Sequence, residues 1–137
     1  MNILTTIKEI IKNPQMYRFM IVGIGIASFV LGFTIFLTSI LEIHYAISVA
    51  ISIETAVVWS FFIHDKWTFG NVLKTSSKKS RFIKFNLISI AGLAVNEIVL
   101  IFFTTQVNLH YTISESLAIF VAFFFNFMLQ KRVSWKN

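Results

Sequence analysis

The sequence predicts an all-α membrane protein in which four transmembrane helices form two hairpins, preceded by a short helix at the membrane interface. Of its 137 residues, 56% are hydrophobic and only 13% are charged, which lies outside the range of soluble domains. Four apolar segments reach the length of about 20 residues that crosses a hydrocarbon core. The predicted spans cover about residues 19–41, 45–63, 83–103 and 111–129.

The segment before the first span, residues 1–14, is predicted to be an interfacial amphipathic helix. Its isoleucines between residues 3 and 11 follow the spacing of one helical face, and its charged residues lie elsewhere. Such a helix lies in the plane of the headgroups. Pro14 is expected to separate it from the first span.

The basic residues predict how the spans are oriented. All twelve Lys and Arg residues fall before the first span, after the fourth, or between the second span and the start of the third, of which Lys84 is the second residue. The other two connections, Leu41–His44 and Thr104–His110, contain neither residue type. Because short loops rich in Lys and Arg stay in the cytoplasm, we expect a multi-pass plasma-membrane protein with cytoplasmic N- and C-termini. Clustering of the charge at membrane edges also argues against nucleic acid as a partner.

The two halves of the chain resemble each other. His44–Ser48 (HYAIS) recurs as His110–Ser114 (HYTIS), 66 residues later. Upstream, Phe19 pairs with Phe82 after a slip of three residues. Two hairpins of equal orientation form a parallel repeat, and a cavity between them is the expected place for a substrate. The predicted boundaries are a first two-helix repeat at 15–69, a cytoplasmic loop at 70–80 and a second repeat at 81–137.

Ionisable and amide side chains inside the spans are candidate functional residues, because a charged carboxylate at the bilayer centre costs about 2.5–3.5 kcal/mol on insertion scales. Glu54 lies at the middle of the second span, and its structural alternative is a protonated carboxyl that bridges helices. Glu97 and Glu115 share a similar depth and are expected to be able to face each other. For the amides, the alternative role is a hydrogen bond between helices. The predicted polar path consists of Glu54, Asn86, Asn96, Glu97 and Asn126.

A second candidate site lies at the cytoplasmic ends of the second and fourth spans. Lys and Arg supply positive charge for a lipid phosphate, and Trp prefers the depth of the headgroups. The alternative is that these residues are ordinary membrane anchors. The candidate lipid-phosphate residues are Lys66, Trp67, Lys131, Arg132 and Trp135.

Catalytic and cofactor motifs are absent from the sequence. The three histidines occur singly and there is no cysteine, which argues against a metal site. Gly23 and Gly25 are interpreted as residues that allow close helix packing rather than as part of a nucleotide motif.

Several short motifs are shared with a known family. They are Arg18-Phe19 with Val22-Gly23, Glu54–Phe62, Asp65–Phe69, Lys84-Phe85-Asn86, Ser89, Gly92, Asn96 and Asn126-Phe127. Through them the chain resembles the GtrA-like family of small four-span membrane proteins, over about Tyr17 to Trp135. An Asn is usual in that family where Ser60, His64 and Gln130 stand, and the closing aromatic motif is degraded to Val133-Ser134-Trp135.

The resemblance implies a non-enzymatic role in cell-surface polysaccharide or glycoprotein assembly. In that role the chain translocates, or binds and presents, polyprenyl-phosphate-linked sugars, so its partners are membrane lipid and the polyprenyl-phosphate sugar. A glycosyltransferase would be a separate protein. Two alternatives stay open: a membrane anchor that recruits such a transferase, and a small proton-coupled exporter of cations, which the uncharged first span disfavours. The sequence leaves open whether the chain forms a homo-oligomer.

Overall fold

The structure, a computed structural model, describes residues 2–135 and is helical. Outside the described residues lie Met1, Lys136 and Asn137. Met1 and Asn137 are the outer limits of the first and last predicted domains, and Lys136 is one of the twelve basic residues. Within the described part of the chain, the α-helices are α1 (Ile3–Ile11), α2 (Pro14–Ser39), α3 (Tyr45–Ile63), α4 (Lys78–Ile101) and α5 (Tyr111–Leu129).

Four helical segments of residues 2–135 are long and apolar enough to cross a membrane, which confirms the all-α membrane fold with four spans. In three of them the α-helix continues into a short π-helical turn. The spanning segments are Pro14–Ser39, Tyr45–Thr68, Lys78–Gln106 and Tyr111–Ser134.

Polar N-cap residues set where the long helices begin, because a side-chain acceptor satisfies one of the free backbone amides there. The Asn13 side chain accepts a hydrogen bond from the amide two residues on at 2.9 Å, and Pro14 takes the first helical position. His44 and His110 cap α3 and α5 in the same way, at 3.3 and 3.2 Å. Ser77 caps α4, so this helix begins before the apolar span that the sequence predicts.

The first compact unit ends at Asn71 and contains the hairpin of α2 and α3. Small buried residues of α3, spaced by four, allow α2 to approach closely. These are Ser48, Ser52 and Ala56. The larger buried residues that α2 supplies are Met16, Phe19, Val22 and Leu37. None of the residues of α1 is buried.

The second compact unit begins at Val72 and contains the hairpin of α4 and α5. Its small buried residues on α5 are Ser114, Ala118 and Ala122. Gly92 of α4 lies directly against the Asn126 side chain, since an added Cβ would come within 2.6 Å of Asn126 Cγ. Gly23 and Gly25 differ, because no atom lies within 4 Å of such a Cβ and both lie on the exposed side of α2. The interpretation of these two as close-packing glycines is therefore wrong for this hairpin.

Burial follows the same pattern in both units at an offset of 66 residues. Phe19 and Phe85 are both buried, and each packs edge-on against an aromatic ring that follows the second helix of its hairpin. Phe85, rather than Phe82, is thus the counterpart of Phe19, and no slip is needed. The reversals between helices match as well, because Glu42 and Asn108 both have positive φ, at 54° and 59°.

Candidate functional site: the basic π-helical turns

The predicted lipid-phosphate residues fall on two π-helical turns and on the residue after the second. His64–Thr68 continues α3, and Gln130–Ser134 continues α5. Each turn closes with a hydrogen bond to a carbonyl five residues earlier, at 2.9 Å in the first and 3.0 Å in the second. π-helical turns are rare in proteins, but those that exist are frequently found at functional sites. The extra residue in the turn changes which side chains face outward.

The inner side of the first turn is held by a cluster of buried side chains. His64 Nδ1 lies 2.9 Å from Thr68 Oγ1, and the imidazole stacks on Phe19 with the ring centres 4.5 Å apart. Phe69 approaches Phe19 edge-on at 6.4 Å. With this side fixed, the turn presents Lys66 to the exterior.

Arg18 joins Lys66 and Trp67 at this end of the first hairpin. Its guanidinium donates a hydrogen bond to the Trp67 carbonyl oxygen at 3.0 Å. It also lies 5.6 Å from the centre of the Trp67 indole, within the range of a cation–π interaction. The rest of the guanidinium has no partner among residues 2–135. Two cations, Arg18 and the exposed Lys66, and an indole that is 42% exposed thus lie at the same end of the first hairpin.

Arg18 was not among the predicted lipid-phosphate residues, and its charge was interpreted only as a sign of orientation and of family resemblance. Two antiparallel helices of a hairpin bring the start of the first to the level of the end of the second. Arg18 lies near the start of α2 and Lys66 follows the end of α3, so the sequence alone could have predicted that the two lie at the same level.

The second turn has an inner side of different chemistry. Gln130 is only 1% exposed, and its amide donates to the Phe85 carbonyl oxygen at 3.0 Å. Its Oε1 accepts a hydrogen bond from the Ser134 hydroxyl at 2.5 Å. The glutamine thus ties the turn to α4, in the place where the first turn uses the stacked imidazole of His64.

Only part of the predicted set is exposed at the second turn. Lys131 and Arg132 both face outward. Trp135 is 2% exposed and packs edge-on against Phe85, with the ring centres 5.8 Å apart. Its indole therefore belongs to the core of the second hairpin and does not face a lipid headgroup.

The predicted polar path divides between the hairpins. Glu54 of the first hairpin and Glu97 of the second are exposed, and neither forms a hydrogen bond with residues 2–135. Asn86 donates to a carbonyl of its own helix at 2.8 Å. Asn96 is half-buried. Asn126, against Gly92, has a buried Oδ1 that lacks a partner among the described residues.

The first hairpin also contains an apolar groove of about 300 Å³ between α2 and α3. Its lining residues are Val22, Gly25, Ile26, Phe29, Trp59 and Ile63. None belongs to the predicted polar path. Within residues 2–135, no group of three His, Cys, Asp or Glu side chains is arranged to hold a metal ion.

Comparison with known proteins identifies a family and a relative. The sequence model of the family described as "GtrA/DPMS, transmembrane domain" matches residues 18–135. A dolichol-phosphate mannosyltransferase from Pyrococcus furiosus is 29% identical over 89 residues, which are 65% of this chain. The same match covers 25% of that relative, so the chain corresponds to about a quarter of the relative's length.

Proposed function

Since the chain belongs to the GtrA/DPMS transmembrane-domain family, we propose that it binds polyprenyl-phosphate-linked sugars and translocates or presents them at the plasma membrane. The family match suggests a part in glycolipid or polysaccharide assembly, and small membrane domains of this kind are typically non-catalytic. The name of the archaeal relative points to the same class of lipid, a long-chain isoprenoid phosphate.

The observation that carries this proposal is the arrangement of Arg18, Lys66 and Trp67. A guanidinium offers five N–H donors in a planar fork that matches two phosphate oxygens. One donor of Arg18 is used by the Trp67 carbonyl, which fixes the side chain in place and leaves the remaining donors for an anion. Lys66 adds a second positive charge, and the indole sits at headgroup depth.

Lys131 and Arg132 give the second hairpin a comparable pair of exposed cations. The distribution of Lys and Arg supports a cytoplasmic position for the basic end of each hairpin, so the phosphate would be engaged from the cytoplasmic leaflet. Trp135 has no part in this proposal because it is buried.

The polar path is proposed to hydrogen-bond the sugar. Glu54 lies in the middle of an apolar helix and is exposed without a partner among the described residues. This position costs free energy unless a polar ligand or water forms hydrogen bonds with the carboxyl group. Asn86, Asn96, Glu97 and Asn126 are the candidates in the second hairpin.

The experiment reconstitutes the purified chain in liposomes and measures binding of a fluorescent polyprenyl-phosphate hexose. Arg18→Ala combined with Lys66→Ala should weaken binding about tenfold or more, because charge-assisted hydrogen bonds to phosphate are lost. Lys79→Ala is the matched control, since it removes an exposed cation from outside the π-helical turn. An equal loss in the control would indicate unspecific attraction to the membrane, and unchanged binding in the double variant would reduce these residues to anchors.

Translocation is measured in the same liposomes as loss of fluorescence to a membrane-impermeant reductant. Movement faster than in protein-free liposomes, slowed by Glu54→Gln with binding retained, would establish a translocase that uses this carboxylate. Binding without movement would favour presentation of the lipid. Movement that Glu54→Gln leaves unchanged would remove Glu54 from the path.

The match to a quarter of a named mannosyltransferase favours a second candidate function, an accessory that positions a separate glycosyltransferase. The basic residues of the central loop and of the start of α4 would then form the contact. Replacing Lys74, Lys78 and Lys79 should abolish co-purification of the transferase, whereas Glu54→Gln should leave it intact. Arg81, the fourth basic residue of this region, is buried and donates to the Ser76 carbonyl oxygen, so it is kept.

A further inference from the structure

The end of the second hairpin that lies away from the basic turn contains buried polar atoms without partners. Ser114 is completely buried, and its hydroxyl forms no hydrogen bond with any residue of the described chain. The same holds for Thr104 Oγ1 and for one carboxylate oxygen of Glu115, Oε2. Buried polar atoms are almost always hydrogen-bonded, so three at one end of a hairpin require an explanation.

Neighbouring hydroxyl groups show that the local backbone is able to satisfy such atoms. Thr105 donates to the carbonyl four residues earlier at 2.7 Å, and Ser116 does the same at 2.9 Å. Ser48, the counterpart of Ser114 in the first hairpin, donates to carbonyl oxygens just before α3 at 3.2 Å. The two hairpins therefore differ at the Ser114 position, where the first satisfies the hydroxyl with its own backbone and the second does not. At the Thr104 position they agree, because the Oγ1 of its counterpart Thr38 also lacks a partner among the described residues.

The three atoms come from both arms of the hairpin. Thr104 belongs to the π-helical turn Phe102–Gln106 that extends α4, and this turn packs against α5. Ser114 and Glu115 are consecutive residues near the start of α5. A hydrogen bond of 3.0 Å between the Leu109 amide and the carbonyl of residue 103 holds the connection between the two arms.

We propose that Thr104, Ser114 and Glu115 form a subsite that hydrogen-bonds the hydroxyl groups of a sugar headgroup. Each hydroxyl both donates and accepts, and the carboxylate accepts, which matches a ligand whose own hydroxyls do both. A phosphate would be repelled by the Glu115 carboxylate. A hard cation such as Ca²⁺ takes six to eight oxygen ligands, more than two hydroxyls and one carboxylate provide. The inference rests on the proposed function. Ser114 and Gln130 lie at opposite ends of α5, about 24 Å apart at 1.5 Å per residue, so the subsite would hold the sugar after the phosphate has left the basic turn and not while it is bound there.

The test separates the sugar from the lipid phosphate. Affinities of the full chain in lipid nanodiscs are measured for farnesyl phosphate, farnesyl-phosphate glucose and farnesyl-phosphate mannose. The native chain should bind at least one sugar-bearing lipid more tightly than farnesyl phosphate. Ser114→Ala, Thr104→Val and Glu115→Gln should each reduce this preference roughly three- to tenfold, as expected for the loss of one hydrogen bond, while affinity for farnesyl phosphate is unchanged.

Two controls match these variants. Ser48→Ala removes the corresponding hydroxyl of the first hairpin, and Ser116→Ala removes a satisfied hydroxyl two residues from Ser114, so both should keep the preference. If the three site variants also keep the preference for a sugar-bearing lipid, or if the native chain has no such preference, water alone occupies the subsite. The inference is then overturned, while the proposal that the chain binds the lipid phosphate stands. If Ser114→Ala weakens all three lipids equally, its role is structural and the subsite is refuted. If the native chain binds none of the lipids, the proposed function fails too.

Discussion

Substituting Gly92 by alanine should destabilise the second hairpin. The added Cβ would lie within 2.6 Å of Asn126 Cγ, well inside the contact distance of two carbon atoms. Either the Asn126 side chain must rotate or α4 and α5 must separate. Overpacking of this kind typically costs about 1–3 kcal/mol. Alanine in place of glycine in a helix returns roughly 0.5–1 kcal/mol, so we expect a net loss of up to about 2.5 kcal/mol in the free energy of unfolding.

The assay is reversible unfolding in mixed micelles of mild detergent and dodecyl sulfate, followed by circular dichroism. Gly23→Ala is the matched control, because its Cβ meets no atom within 4 Å and only the helix preference acts. Adding Asn126→Ala to Gly92→Ala removes the overlapping amide and should restore most of the lost stability. Equal stability of the Gly92 and Gly23 variants, or no recovery in the double variant, would refute the close contact between α4 and Asn126.

Three further measurements examine other contacts. Gln130→Leu should lower the free energy of unfolding by about 1–3 kcal/mol, because two buried hydrogen bonds are lost; a change within about 0.5 kcal/mol would contradict their importance. Glu42→Asn should raise the free energy of unfolding by up to about 1 kcal/mol, since Asn tolerates positive φ better than Glu. Asn108→Glu should lower it by a similar amount. If both variants change the stability in the same direction, the two reversals do not share this backbone conformation. In variants that retain a single tryptophan, acrylamide should quench Trp67 far more than Trp135, and similar quenching would show that the Trp135 indole is not buried.

The span positions could be predicted from the sequence because they depend mainly on the length of an apolar segment. α3 and α5 have the bounds of the predicted spans at 45–63 and 111–129, where a histidine cap begins each helix. α2 and α4 begin earlier than the apolar pattern indicates. Their caps, Asn13 and Ser77, precede polar helical turns to which hydropathy is insensitive.

The faces of the helices were harder to predict, because hydropathy gives depth in the membrane and not the direction of a side chain. Trp135 and Trp67 follow similar basic turns, yet one is buried and the other exposed. Gly23 and Gly92 likewise differ only in what stands opposite them. The spacing of small residues by four, as in Ser48, Ser52 and Ala56, was a signal for the inner face that hydropathy does not reveal. The orphaned atoms of Thr104, Ser114 and Glu115 depend on the path of the backbone, which residue types do not specify.

The matching cores of the two hairpins have a consequence for biosynthesis. The contacts that hold the first unit, such as the one between Phe19 and Phe69, are complete once Asn71 has been synthesised. The first pair of helices can therefore leave the insertion machinery packed, with its polar serines already shielded from lipid, while the second pair is still being translated. A truncated chain that ends in the central loop would therefore still contain a folded helical hairpin. Membrane proteases that degrade unfolded segments would then have to act on a packed structure.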